Sequence, residues 1–238
     1  MVKVFLVAVS GCSSSGKTTI AKIIAELCPE ITLIHEDDFY KHDEEVPYDE
    51  KRHIRNWDSP EALDLTLFGK ELDTIKENGE ISSQLVHNNN VDDISKFKLD
   101  DNFLKSLKMK LSEVSRKWKI VLVDGFMIYN STSLTAKFDL KLFFTAPYEV
   151  LKARRNARPG YQTLDSYWVD PPYYFDEFVY KSYRASHAPL FINGDVEGEL
   201  NPETAPGIKR FVNGSHTLLQ HALEWVTDEI CKAASAAL

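Results

Sequence analysis

The sequence is poor in the features that mark secreted, zinc-bound or membrane-spanning chains. Its 238 residues hold three cysteines, Cys12, Cys28 and Cys231, an odd number with no C-x-x-C pair, so neither a disulfide framework nor a structural zinc site is supported. The seven histidines are scattered without metal-ligand spacing, and hydrogen-bonding or surface roles are their default. No apolar run approaches the ~20 residues of a spanning helix, so no membrane partner is expected. Positive charge is also scarce. Against 36 Asp+Glu there are 28 Lys+Arg, a formal charge of −8, which argues against nucleic acid held along an extended basic surface but leaves room for a local basic site. Such cysteine usage suits a reducing compartment, cytoplasmic or also nuclear.

What is present is a globular composition, 43% hydrophobic and 27% charged. The length allows one large α/β domain or two small ones. With no internal repeat and no low-complexity linker, a single domain over residues 1–238 is preferred. Lys3, the apolar run to Val9 and then Ser10-Gly11-Cys12 imitate a lipoprotein-type leader, but the run falls short of the ~7–15 apolar residues such a leader needs.

Residues 2–9 form a continuous β-branched and apolar run, as expected of a strand buried on both faces of a parallel sheet. Residues 18–27 follow with helical spacing, and 31–34 read as a second strand. Ser59 is read as the cap of a helix with Pro60 in its first turn, running to Asn78 and stopped by Gly79. A helix is expected over about 102–115, strands at 120–123 and 140–144, and a helix from Pro147 to near Arg158-Pro159-Gly160. A last strand at 190–192 and a final helix over about 216–234 complete the alternation. The order predicts a three-layer α/β/α sandwich around a parallel central sheet.

The sharpest signal is Gly11-Cys12-Ser13-Ser14-Ser15-Gly16-Lys17-Thr18, which fits G-x-x-x-x-G-K-[ST] and lies between an expected strand and an expected helix. Glycines let the backbone curl so that its N–H groups face inward, and the helix N-terminus adds positive potential, together an anion nest. Lys17 would reach the β- and γ-phosphates and the Thr18 hydroxyl a magnesium ion. Cys12 occupies an unrestricted position of the motif.

The destination of the phosphate is read from what accompanies the loop. No Asn-Lys-x-Asp for guanine is present, and the strand ending in Asp124-Gly125 carries no following Glu to activate water. Asp124 reads as a magnesium-side carboxylate or, alternatively, a strand-end turn residue. Transfer to a bound hydroxyl would need a carboxylate near the acceptor and cations around the phosphoryl group. Asp37 and Asp38 follow the second strand, at the end where α/β crevices lie. On extended backbone only one of them should face the crevice. Arg154, Arg155 and Arg158 close a helix, with Arg154 and Arg158 on one face, and would serve as lid arginines or simply complement the helix C-terminus. Between Tyr161 and Tyr183 nine of 23 residues are aromatic, yet four acids face one lysine, so core or lid packing is expected rather than nucleic-acid stacking. Trp57-Asp58 would stack on a ring and bind its polar surroundings, or form a hydrophobic staple with a turn Asp.

Taken together, GCSSSGKTT (11–19), HEDDFYK (35–41), NWDSPEAL (56–63), VDGF (123–126), APYEVLKARRNARPGYQ (146–162) and PPYYFDEFVY (171–180) resemble the nicotinamide riboside kinases, within the uridine-kinase-like P-loop kinases. The resemblance implies a P-loop kinase fold with a helical lid over about 153–170 and an insertion over about 80–118. It implies ATP- and Mg²⁺-dependent phosphorylation of the ribose 5′-hydroxyl of nicotinamide riboside, and of nicotinic acid riboside, for NAD synthesis. Carried over, Asp37 is the base and lies near magnesium with Thr18 and Asp124, while Lys17 and Arg154 assist transfer. ATP would meet residues 11–19 (through Thr19), Arg154, Arg158, and Val196 and Glu197 beside the adenine. The riboside would meet Asp37, Asp38, Phe39, Tyr40, Trp57, Asp58, Arg155, Tyr161 and Gln162. The ring-stacking residue is Trp here where other members often carry Tyr. A uridine- or cytidine-type kinase and a non-catalytic nucleotide-binding regulator are the alternatives. The oligomeric state is not legible.

Overall fold

Strand β1, Val4–Gly11, is buried along its whole length, and its side chains alternate between two cores. Val4, Leu6 and Ala8 enter one; Phe5, Val7 and Val9 enter the other. That two-sided burial is what a central parallel strand with helices on both faces requires. The computed structural model describes residues 3–81 and 97–237.

In chain order the elements after β1 are α1 (Lys17–Leu27), β2 (Thr32–His35), the two-residue strands β3 (Tyr48–Asp49) and β4 (Ile54–Arg55), α2 (Leu65–Asn78), α3 (Asp101–Ser115), β5 (Lys119–Gly125) and α4 (Thr132–Thr135). Then come β6 (Leu140–Thr145), α5 (Tyr148–Asn156), the paired β7 (Tyr161–Gln162) and β8 (Tyr167–Trp168), α6 (Tyr180–His187), β9 (Ile208–Val212) and α7 (Leu219–Ala236). The main sheet has five strands in the order β2-β5-β1-β6-β9, all parallel. Helices α1, α3 and α7 cover one face, through Ile20, Leu107, Leu111 and Val226, while α2, α5 and α6 cover the other, through Phe68, Leu151 and Tyr183. The three-layer α/β/α architecture around a parallel central sheet is therefore the one expected. Helix α3 belongs to a main layer, and residues 82–96, within the expected insertion, lie outside the described residues.

Two expectations are corrected. Ser59 does not cap the helix: Pro60–Ala62 make a single 3₁₀ turn, Leu63 is extended, and Asp64 caps α2 by accepting from the Leu67 N–H at 2.8 Å. Gly79, left-handed at φ 74°, ends that helix as anticipated. The apolar residues 190–192 are not a strand of the sheet: two 3₁₀ turns flank Phe191, which is extended, bridges Leu200 and packs on Phe143 in the core. The last strand of the sheet is β9, an edge strand half-buried from Ile208 to Phe211 and exposed at Val212.

The strand order places the C-terminal ends of β1, β2 and β5 side by side. In register His35 pairs with Asp124, and Val9 with the same residue on the other side. Ligand crevices in open α/β sheets lie off such ends.

Candidate active site

The phosphate loop leaves β1 in a tight curl. Ser14 is left-handed at φ 66° and Gly16 at φ 95°, and Ser15 donates its N–H to the Cys12 carbonyl at 3.1 Å. Gly16 has a double reason to lack a side chain, since a Cβ there would be strained and would also meet the Asn213 amide. Lys17 opens α1 and is buried. The hydroxyls of Ser14 and Ser15 are buried without a hydrogen-bond partner, as are Trp57 Nε1, Arg154 Nη1 and the Tyr161 hydroxyl. Unsatisfied buried polar groups are rare, and five of them spread over the loop and the residues facing it mark a place built for polar ligands.

Beside the loop, the Thr18 hydroxyl donates to Asp124 Oδ2 at 2.5 Å, and the other oxygen of Asp124 binds His35 Nδ1. Burial tends to raise the Asp124 carboxyl, but the His35 charge and hydrogen bond hold it below the usual range. The His35 imidazole shifts the opposite way, burial being outweighed by Asp124. After β2, Glu36–Phe39 form a 3₁₀ turn rather than the extended backbone anticipated. Within it Asp37 lines a cavity facing the loop, Asp38 is buried outside the lining, and Phe39 packs on Phe68 in the core. Burial raises the Asp37 carboxyl, partly offset by Lys17. Glu36, fully buried, accepts from the Met127 N–H at 2.8 Å, and burial pushes it up to about 8.

One cavity joins Lys17, Thr18 and Asp37 to Tyr40, Trp57 and Asp58 across from the loop. Arg155, Arg158, Tyr161 and Gln162 close it from the α5 side, with Ser13, Phe126, Thr163 and Trp168 filling the wall. Arg155 is the hub. It reaches Asp58 at 3.3 Å and Asp170 at 2.6 Å, donates to the Ser13 hydroxyl at 2.7 Å, and lies 4.2 Å over the Tyr161 ring. Burial alone would lower its charge affinity, but Asp58 and Asp170 keep it well above the ordinary arginine value. Asp58 is raised by burial, against the pull of Arg155.

A second cavity lies on the other flank of the loop, lined by Ser14, Gly16, Thr19, Arg154, Arg158, Asn213 and Thr217 among others. Arg158 and the loop stand between the two. Val196 and Glu197, by contrast, line neither cavity. Val196 is in the core, and Glu197 accepts the Tyr148 N–H at the start of α5 at 2.6 Å. Cys12 is buried beneath the loop, and burial pushes its thiol up to about 12.

No family model matches the chain. Individual relatives do. Nicotinamide riboside kinase of Saccharomyces cerevisiae is 62% identical over 232 residues, 97% of each chain. That of Eremothecium gossypii is 49% identical over 96% of this chain and 93% of the relative, and that of Schizosaccharomyces pombe 38% over 83% and 85%. The chain belongs to the nicotinamide riboside kinases. Family membership makes it a phosphotransferase with an alcohol acceptor.

Within this nicotinamide riboside kinase fold, local sequence reasoning overlooked His35, Asp170, Trp168 and Asn213. His35 could have been found by aligning strand ends, since it is the last residue of β2 and pairs in register with Asp124. Asp170 binds both Arg155 and the Trp168 indole N–H, at 2.8 Å for the latter, a long-range arrangement no motif spacing announces. Among the described residues no group of three or more His, Cys, Asp or Glu side chains forms a ready metal cage. What the loop mouth does offer is the Thr18 hydroxyl with Asp124 and, in the adjoining cavity, Asp37. These are all oxygen donors, the set that suits a hard cation retaining water and phosphate ligands. No helix among the described residues is long and apolar enough to cross a membrane.

Proposed function

We propose that this chain transfers the γ-phosphoryl group of ATP to the ribose 5′-hydroxyl of nicotinamide riboside, giving the mononucleotide, with nicotinic acid riboside as a second acceptor. The observation that carries this reading is the shared cavity, in which the Asp37 carboxylate sits with Lys17 of the phosphate loop at one end and Trp57 and Asp58 at the other.

Asp37 is suited to accept the hydroxyl proton as the oxygen attacks, because a carboxyl raised by burial is a better base than an exposed one. Lys17 and the inward N–H groups of the loop hold the departing phosphates, and Arg154 and Arg158 face the same polyanion from the lid. Magnesium held by Thr18, Asp124 and Asp37 would neutralise charge on the phosphate oxygens. Arg155, fixed by two carboxylates, presents Asp58 to the riboside in one geometry. Tyr40, Trp57, Phe126 and Trp168 supply aromatic walls, which favour a cationic pyridinium ring.

The test is steady-state ATP consumption by the purified chain against nicotinamide riboside, nicotinic acid riboside, uridine and cytidine. The two pyridine ribosides should turn over fastest. Faster turnover of uridine or cytidine would reassign the acceptor, and ATP binding with no phosphorylation of any riboside would make the chain a regulator.

A further inference from the structure

The turn that follows β9 carries no part of the phosphate-loop motif, yet it touches the loop and the lid at once. Asn213 Nδ2 donates to the Ser15 carbonyl at 2.8 Å. The next residue, Gly214, accepts Arg154 Nη2 on its carbonyl at 3.2 Å. The backbone of the turn is itself fixed, since the Asn213 N–H donates to the Thr145 carbonyl at 2.7 Å and extends the β6–β9 ladder. A rigid sheet edge therefore sets the position of both contacts.

The consequence for the loop follows from peptide geometry. In a trans peptide the C=O and the following N–H point to opposite sides of the chain, and there are no cis peptides among the described residues. Holding the Ser15 carbonyl outward on Asn213 turns the Gly16 N–H toward the inside of the loop, where an anion nest needs its donors. Gly16 takes a left-handed conformation with the Asn213 amide lying directly against its Cα face. Without that amide Gly16, which has no side chain of its own, would lose the group that packs against it. The second contact concerns a cation: Arg154 is half-buried, lines the same cavity as Ser14, Gly16 and Asn213, and has a buried Nη1 without a partner.

We infer that Asn213-Gly214 is a positioning brace for the phosphoryl donor, in which Asn213 orients the Ser15–Gly16 peptide and Gly214 sets Arg154 at a fixed distance from it. Asn213 is a positioning residue, acting through the loop. The inference rests on the kinase reading above and adds to it a residue outside every motif that supports it.

The experiment is direct ATP binding by calorimetry, without acceptor, on the intact chain and on Asn213→Ala and Asn213→Asp. The second variant is nearly isosteric but sets a carboxylate against a carbonyl oxygen. Losing one hydrogen bond that orders a binding group predicts ATP affinity lower by about tenfold in Asn213→Ala and more in Asn213→Asp. The KM for the riboside should change less than twofold and the melting temperature little. ATP affinity within twofold of wild type in both variants would overturn the inference. So would equal losses for ATP and riboside together with a lowered melting temperature, since that is the signature of a merely structural residue. Absence of ATP binding by the wild-type chain would instead strike the kinase reading, and the two failures are thereby distinguishable.

Discussion

His35 and Asp124 meet at the ends of adjacent parallel strands, so that the imidazole takes one carboxylate oxygen while the Thr18 hydroxyl takes the other. Both oxygens of Asp124 are thus oriented from two sides of the loop mouth. His35→Phe keeps a ring of similar size and removes the charged hydrogen bond. A lost hydrogen bond to a charged group predicts kcat/KM lower by about 10- to 100-fold, measured at saturating magnesium, with partial recovery in His35→Asn. Wild-type kinetics in His35→Phe would mean that Asp124 needs no such support.

Asp37 gives the sharpest catalytic test. Asp37→Asn preserves shape and removes the carboxylate proposed as base, so kcat should fall by about 10²–10⁴-fold while ATP affinity, measured separately, survives. Near-normal turnover would take Asp37 out of the proton-accepting role.

Arg155 is the cation shared by two carboxylates. Its side chain is 6% exposed, with Asp58 at 5% and Asp170 at 17%. Arg155→Met leaves both acids without their cation, which for a buried pair costs about 3–5 kcal/mol. In a chain of this size that lowers the melting temperature by on the order of 10 °C. Arg155→Lys keeps the charge but not the fork and should melt in between. Equal melting temperatures for all three chains would show that the acids have other partners.

His187 links stability to pH. It is fully buried, stacks on Phe143 at 5.4 Å, donates Nδ1–H to the Tyr183 carbonyl at 3.0 Å, and leaves Nε2 without a partner. Burial lowers its pKa from 6.5 to about 4. Above pH 6.5 neither the folded nor the unfolded chain protonates it, and its full contribution is present. As pH falls from 6.5 toward 4, the unfolded chain takes up a proton that the folded chain refuses, and stability is lost by up to on the order of 3 kcal/mol. His187→Phe should remove this component, so that the stability gap between wild type and variant shifts in the variant's favour between pH 7.5 and 4.5. Urea midpoints across that range read it out, and a gap that does not move with pH would assign the loss to other groups.

The parts of this molecule that were legible in sequence are those whose physics is local. The β1–loop–α1 unit reads clearly because an apolar run, a spaced motif and a helical period follow one another without interruption. Ser59-Pro60 carries every local sign of a helix start, but the chain uses those signs for one 3₁₀ turn and starts the helix at Asp64. Leu190-Phe191-Ile192 looks like a strand because it is apolar, whereas β9 hides because the adjacent charges Lys209 and Arg210 interrupt its short apolar run. At the site, Asp37, Trp57 and Arg155 were each found by motif. The tie from Arg155 to Asp58 spans 97 residues of sequence and could not be found that way. Asn213 and His35 escaped for the same reason, since their partners are set by strand order.

Cys12 lies inside the phosphate loop, but its sulfur is buried, and burial pushes the thiol up to about 12. Oxidants and alkylating reagents attack the thiolate, and only when they can reach it. At neutral pH this sulfur offers neither charge nor access. A kinase with a cysteine in its nucleotide motif would ordinarily be open to peroxide or maleimide damage at that point. Here burial keeps the sulfur protonated and out of reach, so peroxide and maleimide should spare Cys12 for as long as the loop stays folded.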